Sequence, residues 1–129
     1  AMVEPQAAEW QRKRGMDRTS HWLLAGRTCD AVVANNDEMA LCAAMALQQA
    51  GKAKGEVAIV GIDGLPDGLA AIKRGMLAAS VFLDPKAQAT TALQSAIKMI
   101  KGEPVDAQVW VPFQLLTPAQ VAVFEQHYK

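Results

Sequence analysis

Val32–Leu41, VVANNDEMAL, joins a short apolar run to three polar residues and then to a stretch rich in Ala, Leu and Met. An apolar run this short suits a strand buried on both faces of a parallel sheet. The Ala-rich stretch predicts a helix over Glu38–Ala50, closed at Gly51. Asn35, Asn36 and Asp37 stand where the chain changes direction. Their oxygens suit the start of a helix, because they accept its orphan amide hydrogens. The same groups suit a ligand, and spacing alone leaves both readings open.

The strand–turn–helix unit recurs along the chain. VAIVGI at Val57–Ile62 predicts a second buried strand, with Pro66 placed for a first helical turn and Gly75 for its end. Ala78–Leu83 predicts a third strand, and Pro85–Lys101 a long helix stopped by Gly102. Val109–Leu116 alternates around Pro112, which suits an edge strand or a broken one. Thr117-Pro118 opens a last helix to about Tyr128. Upstream, a short strand near Val3 precedes a polar helix over Arg12–Ala25, with Met16 and Leu23 on one side and Gly26 as its stop. Strands alternating with helices predict an α/β fold, a Rossmann-like or flavodoxin-like parallel sheet flanked by helices.

The chain's 129 residues are one domain's worth, and 51% of them are apolar, enough for a core. Thirteen basic residues balance thirteen acidic ones, which gives no reason to expect a nucleic-acid or anionic-membrane partner. The basic cluster Arg12, Lys13, Arg14 and Arg18 reads as a solvated helix face. Cys29 and Cys42 lack CxxC spacing, and Cys42 falls in an apolar helical pattern as a buried free thiol. No apolar run reaches the length of a membrane span, and no signal peptide precedes the first strand.

In open α/β sheets, ligands bind just beyond the carboxyl ends of the strands. That rule selects Asn35, Asn36 and Asp37 after the first clear strand, Asp63 after the second, and Leu83 and Asp84 after the third. Trp10 follows the strand near Val3. This set suits a neutral polyhydroxylated ligand. A carboxylate accepts from two adjacent hydroxyls, an amide both donates and accepts, and an indole covers the apolar face of a sugar ring. Catalysis fits less well. His21 and His127 fall far in sequence from any strand end, and no GxSxG, HExxH or P-loop pattern occurs. GIDGLPDG lacks dinucleotide spacing and the calcium-loop pattern, so no cofactor or metal is implied.

These residues resemble the periplasmic sugar-binding proteins of ABC transporters, of the ribose-binding type. The resemblance rests on DAVVANNDEMAL at Asp30–Leu41, VAIVGIDGLPDGLAAIKRG at Val57–Gly75, LAASVFLDP at Leu77–Pro85 and VWVPFQLLTP at Val109–Pro118, with AEWQRKRGM at Ala8–Met16. The aromatic segment and the VPFQLLTP ending look most like members that bind inositol or related polyols and sugars. The resemblance implies a type I periplasmic binding protein, of which this chain is the C-terminal portion only. Residues 1–84 would be part of the C-terminal lobe, 85–102 a helix belonging to the absent N-terminal lobe, and 103–129 the closing strand and helix. It implies that Trp10 stacks on the ligand and that Asn36 and Asp63 bond its hydroxyls. Arg12 braces the site or contacts ligand, with bracing favoured, and Asp37 caps the helix. Leu83 falls where the family carries a polar residue, a departure that bears on specificity. The parent protein would work in the periplasm with a membrane permease, and the helix without its lobe implies self-association of this portion. The rival readings are the effector-binding half of a LacI-type repressor and a small flavodoxin-like enzyme or receiver domain using Asp63.

Overall fold

The computed structural model describes residues 5–128, so the strand expected near Val3 lies outside the described residues. The chain divides into two compact units, one of residues 1–82 with 115–129 and one of residues 83–114.

In the first unit, α1 (Arg12–Leu24) leads to β1 (Ala31–Val33), α2 (Asp37–Gln49), β2 (Ala58–Val60), α3 (Pro66–Lys73) and β3 (Ser80–Phe82). β1 and β2 are parallel, with Val32 opposite Ile59. Parallel bridges Val60–Ala79 and Asp63–Phe82 carry the pairing on to β3. β4 (Gln114–Leu116) then pairs with β3. The strands are shorter than the apolar runs suggest, because regular pairing ends where each run turns toward its helix. β1 is also less covered than its composition predicts. It pairs only with β2 among the described residues, and Val33 is 75% exposed.

The core lies between sheet and helices, with Leu41, Leu47, Ile59, Leu69, Ile72, Leu77, Phe82 and Leu116 buried in one cluster. Each fully buried side chain of this size contributes about 1.5–3 kcal/mol relative to exposure. α1 lies close on α2 because Gly15 faces Met39, where an added Cβ would come within 3.1 Å of the Met39 Cα. Thr19, beside it, is buried and donates its hydroxyl to the Gly15 carbonyl at 2.9 Å. Cys42 is a free buried thiol, and burial pushes it up from the usual thiol range.

The expected final helix is broken into a 3₁₀ turn at Pro118–Gln120, a short α5 (Val121–Phe124) and a second 3₁₀ turn at Glu125–Tyr128. Pro118 supplies no amide hydrogen, and β-branched Val121 and Val123 are weaker helix formers. The Gln120 side chain folds back to accept the Thr117 amide at 3.1 Å.

The second unit carries α4 (Pro85–Ile100), capped by Asp84, whose carboxylate accepts the Ala87 amide at 2.9 Å. No residue of α4 is buried. Leu93, Ile97 and Ile100 recur at helical spacing and are exposed, so an apolar stripe faces outward. Val109–Phe113, expected to be strand, is irregular, and Pro112 removes a ladder donor there.

Candidate functional site

Asp37 was expected to cap α2, and Asn36 to be free for a ligand. The structure gives the cap to Asn36. Its backbone is extended (φ −154°, ψ 166°), and its side-chain oxygen accepts the Met39 amide at 2.9 Å. Asp37 is the first helical residue instead, fully buried and turned toward the sheet. The physical reason is the partner set beneath it. The Ser80 hydroxyl donates to one carboxylate oxygen at 2.6 Å, and the Leu65 amide donates to the other at 2.9 Å. The Gly64 amide lies close enough to favour the carboxylate as well. Burial nevertheless pushes the Asp37 carboxyl above the usual range, against the pull of these donors.

Asn36 has a second bond. Its amide donates to the Trp10 carbonyl at 3.4 Å, which ties the turn before α1 to the start of α2. Glu9 and Trp10 both hold left-handed backbone conformations, with φ of 50° and 55°. The Gln11 amide closes this turn on the Ala8 carbonyl at 3.0 Å. The Trp10 ring is 68% exposed, an aromatic face open to stack on something.

Asp63 completes the group. The Asp37 amide donates to the Ile62 carbonyl at 2.7 Å and also supports the Asp63 carboxylate. Burial raises the Asp63 carboxyl, and that amide works against the rise. Asp63 too has a positive φ, 116°, a conformation costly for a residue with a Cβ. Among the described residues, the non-glycine residues with positive φ are Glu9, Trp10 and Asp63. Left-handed backbone is therefore found at the Glu9–Trp10 turn, whose Trp10 carbonyl accepts from Asn36, and at Asp63 after β2.

Arg12 is held by ion pairs with Glu38, at 2.8 Å for one nitrogen–oxygen contact, and with Asp67 at 3.1 Å. It bridges the first turns of α1, α2 and α3. Asn35 is exposed. Leu83, partly buried, begins the second unit one residue past β3. A hollow of about 270 Å³ lies between α1 and the β1 edge, lined by Trp10, Thr19, Trp22 and Val33. Asn36, which is buried, and Asp63, which is partly buried, do not line it. Among the described residues no group of His, Cys, Asp and Glu is placed to hold a metal ion.

Two contributors escaped the reading of the sequence: the clamp formed by Asp37 and Ser80, and Tyr128. The glycines of GIDGLPDG are the sequence signal for the first. Gly61 and Gly68 flank the Asp37 carboxylate so closely that a Cβ on either would collide with its oxygens.

The place beyond the carboxyl ends of parallel strands, where these polar side chains lie, is where open α/β sheets take their ligands. Residues 2–104 match the model of the periplasmic binding protein domain, and the chain belongs to that family. It is 45% identical over 124 residues to a putative rhizopine-binding protein of Rhizobium meliloti, covering 96% of this chain and 40% of the relative. It is 42% identical over 115 residues to the ribose import binding protein of Salmonella typhimurium, covering 89% and 38%. Among solved structures, an ABC transporter solute-binding protein from Bacillus halodurans with bound myo-inositol superposes with a TM-score of 0.87 at 42% identity, covering 94% of this chain and 42% of that one. The Caulobacter myo-inositol binding protein gives 0.88 at 28% identity, covering 99% and 44%. The chain thus spans about 40% of the length of the relatives it matches.

Proposed function

We propose that this chain supplies one side of the ligand site of a solute-binding protein, which takes a monosaccharide or polyol to an ABC transporter in the periplasm. It binds without chemistry. Trp10 stacks on the ligand, and Asn36 and Asp63 bond its hydroxyls. Arg12 acts through the helices it joins. The observation that carries this reading is the set beyond the strand ends: Asn36 tied to the Trp10 carbonyl and Asp63 beside the Asp37 amide, with Trp10 and Asp63 on strained backbone. The Asn36 oxygen is committed to Met39, so its ligand contact uses the amide hydrogens or the second lone pair. Relatives are named as a putative rhizopine-binding protein, a ribose import binding protein and an ABC transporter solute-binding protein, which favours transport over repression or catalysis.

The test is a titration of the isotope-labelled chain with myo-inositol and with D-ribose, followed by NMR. The Trp10 indole and the Asn36, Asp63 and Gly64 signals should move together and saturate weakly, as half a pocket predicts. Shifts confined to other residues, or none at high sugar concentration, would overturn the reading. Tight binding by the chain alone would overturn the half-site part of it.

Self-association of this chain through α4 belongs to the same proposal. Its support is the outward stripe of Leu93, Ile97 and Ile100.

A further inference from the structure

We propose that Asp37 is the positioning residue of the site: it never meets the ligand, but sets the Asp63 carboxylate by clamping the turn that follows it. This rests on the sugar-site reading above and adds the device that shapes it. Asp37 is fully buried, which removes it from ligand contact. Its two oxygens hold different elements. One takes the Ser80 hydroxyl of β3, and the other takes the Leu65 amide after the Asp63–Gly64 turn.

The surroundings are shaped around the carboxylate. Gly61 and Gly68 leave room on either side that any Cβ would fill. The residue's own amide bonds the Ile62 carbonyl at 2.7 Å, just before Asp63. Backbone on both sides of Asp63 is therefore fixed to one residue, and φ 116° at Asp63 is held by that fixation. Removing the carboxylate would leave the Leu65 amide and the Ser80 hydroxyl without an acceptor. Asp63 would then be free to relax toward ordinary backbone, carrying its carboxylate away from the ligand.

Two measurements on the whole chain test this. In the Asp37→Asn variant, a neutral oxygen replaces a charged acceptor, so hydrogen exchange at Gly64 and Leu65 should accelerate roughly tenfold relative to Ile59 in β2. Ser80→Ala should lower the melting temperature while leaving those two amides close to wild type. An Asp37→Asn protein that is folded, with both amides and the Asp63 carboxyl signal unchanged, overturns the proposal. The second measurement needs no variant and covers the case in which Asp37→Asn does not fold. In the wild-type chain the Gly64 and Leu65 amides should titrate with the Asp37 carboxyl carbon, resolved from Asp63 and from Tyr128, which face the same turn. Amides that follow Asp63 alone overturn it. A wild-type chain that shows the clamp but no sugar-dependent shifts would sink the sugar reading and leave the clamp standing.

Discussion

The Tyr128 hydroxyl donates to the Gly64 carbonyl at 2.9 Å, so the last 3₁₀ turn of the chain reaches back to the turn that carries Asp63. The neighbouring aromatic packing keeps it there. His127 lies 4.8 Å from the Phe82 ring centre and 5.8 Å from that of Phe124. Phe82 in turn presses on Gly64, where an added Cβ would stand 2.8 Å from the ring. The Asp63 turn is thus held by Asp37 on one side and by the C-terminal residues on the other.

Tyr128→Phe removes this hydrogen bond and keeps the ring. The expected loss is about 0.5–1.5 kcal/mol of stability, the ordinary worth of such a bond. Chemical denaturation measures it, and amide shifts at Gly64 should change more than those at Val32. A variant as stable as wild type would mean that Tyr128 does not hold the turn.

Asn36→Ala takes away the cap of α2 and the bond to Trp10. A loss of about 1 kcal/mol follows from the cap alone. Asn36→Asp keeps an acceptor for the Met39 amide but has no hydrogen to give the Trp10 carbonyl, and it places a second carboxylate near Asp63. It should therefore recover most of the stability and none of the sugar-dependent shift at Trp10. Recovery of both by Asn36→Asp would show that the amide hydrogens have no part in the site.

Gly61→Ala and Gly68→Ala each force a methyl group against the Asp37 carboxylate. Overpacking of this kind costs about 1–3 kcal/mol, and both variants should melt lower than wild type. Ala at Gly102, whose surroundings are open but whose φ is 71°, is the control. It carries backbone strain without a collision. Equal effects at all three positions would remove the steric argument.

Asp37 and Asp63 both titrate above the usual carboxylate range because of burial. A carboxyl raised in the folded state holds its proton there more tightly than in the unfolded chain. Its contribution to stability is therefore fully present below the unfolded value and lost as pH rises through the folded one. The melting temperature of wild type should accordingly gain on that of Asp37→Asn as pH falls from neutrality toward the carboxylate range. Exposed Asp17 and Glu56, lowered by Lys13 and Lys52, push the other way in both proteins and cancel from the difference. A gap that narrows on acidification contradicts the assignment.

Leu93→Asp and Ile100→Asp place charges in the outward stripe of α4. Light scattering should show wild type associating as concentration rises, and both variants staying nearer the mass of one chain. A wild-type chain of single mass at the highest concentration would count against self-association.

Much of the fold was legible because its signals are local. Gly26, Gly51, Gly75 and Gly102 close helices and have φ between 69° and 83°, as glycine at a helix end allows. Pro66 and Pro85 open helices. The strand-end rule selected Trp10, Asn36 and Asp63; in the structure Asn36 donates to the Trp10 carbonyl, and Asp63 lies beside the Asp37 amide. What could not be read was the division of labour between Asn36 and Asp37. Both are good caps by composition, and only a partner 43 positions away, Ser80, decides which one turns inward. The last helix failed for a similar reason, since its 3₁₀ turns follow Pro118 and the packing of Phe124 and His127 rather than any periodicity.

The glycines against Asp37 also constrain descent. So long as position 37 carries a carboxylate, neither Gly61 nor Gly68 can acquire a side chain without a collision, and a smaller residue at 37 would strand the Ser80 hydroxyl and the Leu65 amide. Positions 37, 61 and 68 therefore behave as a single inherited character. A lineage can leave this arrangement only through an intermediate that is worse than either end, and it would be expected to keep all three residues or to lose them together.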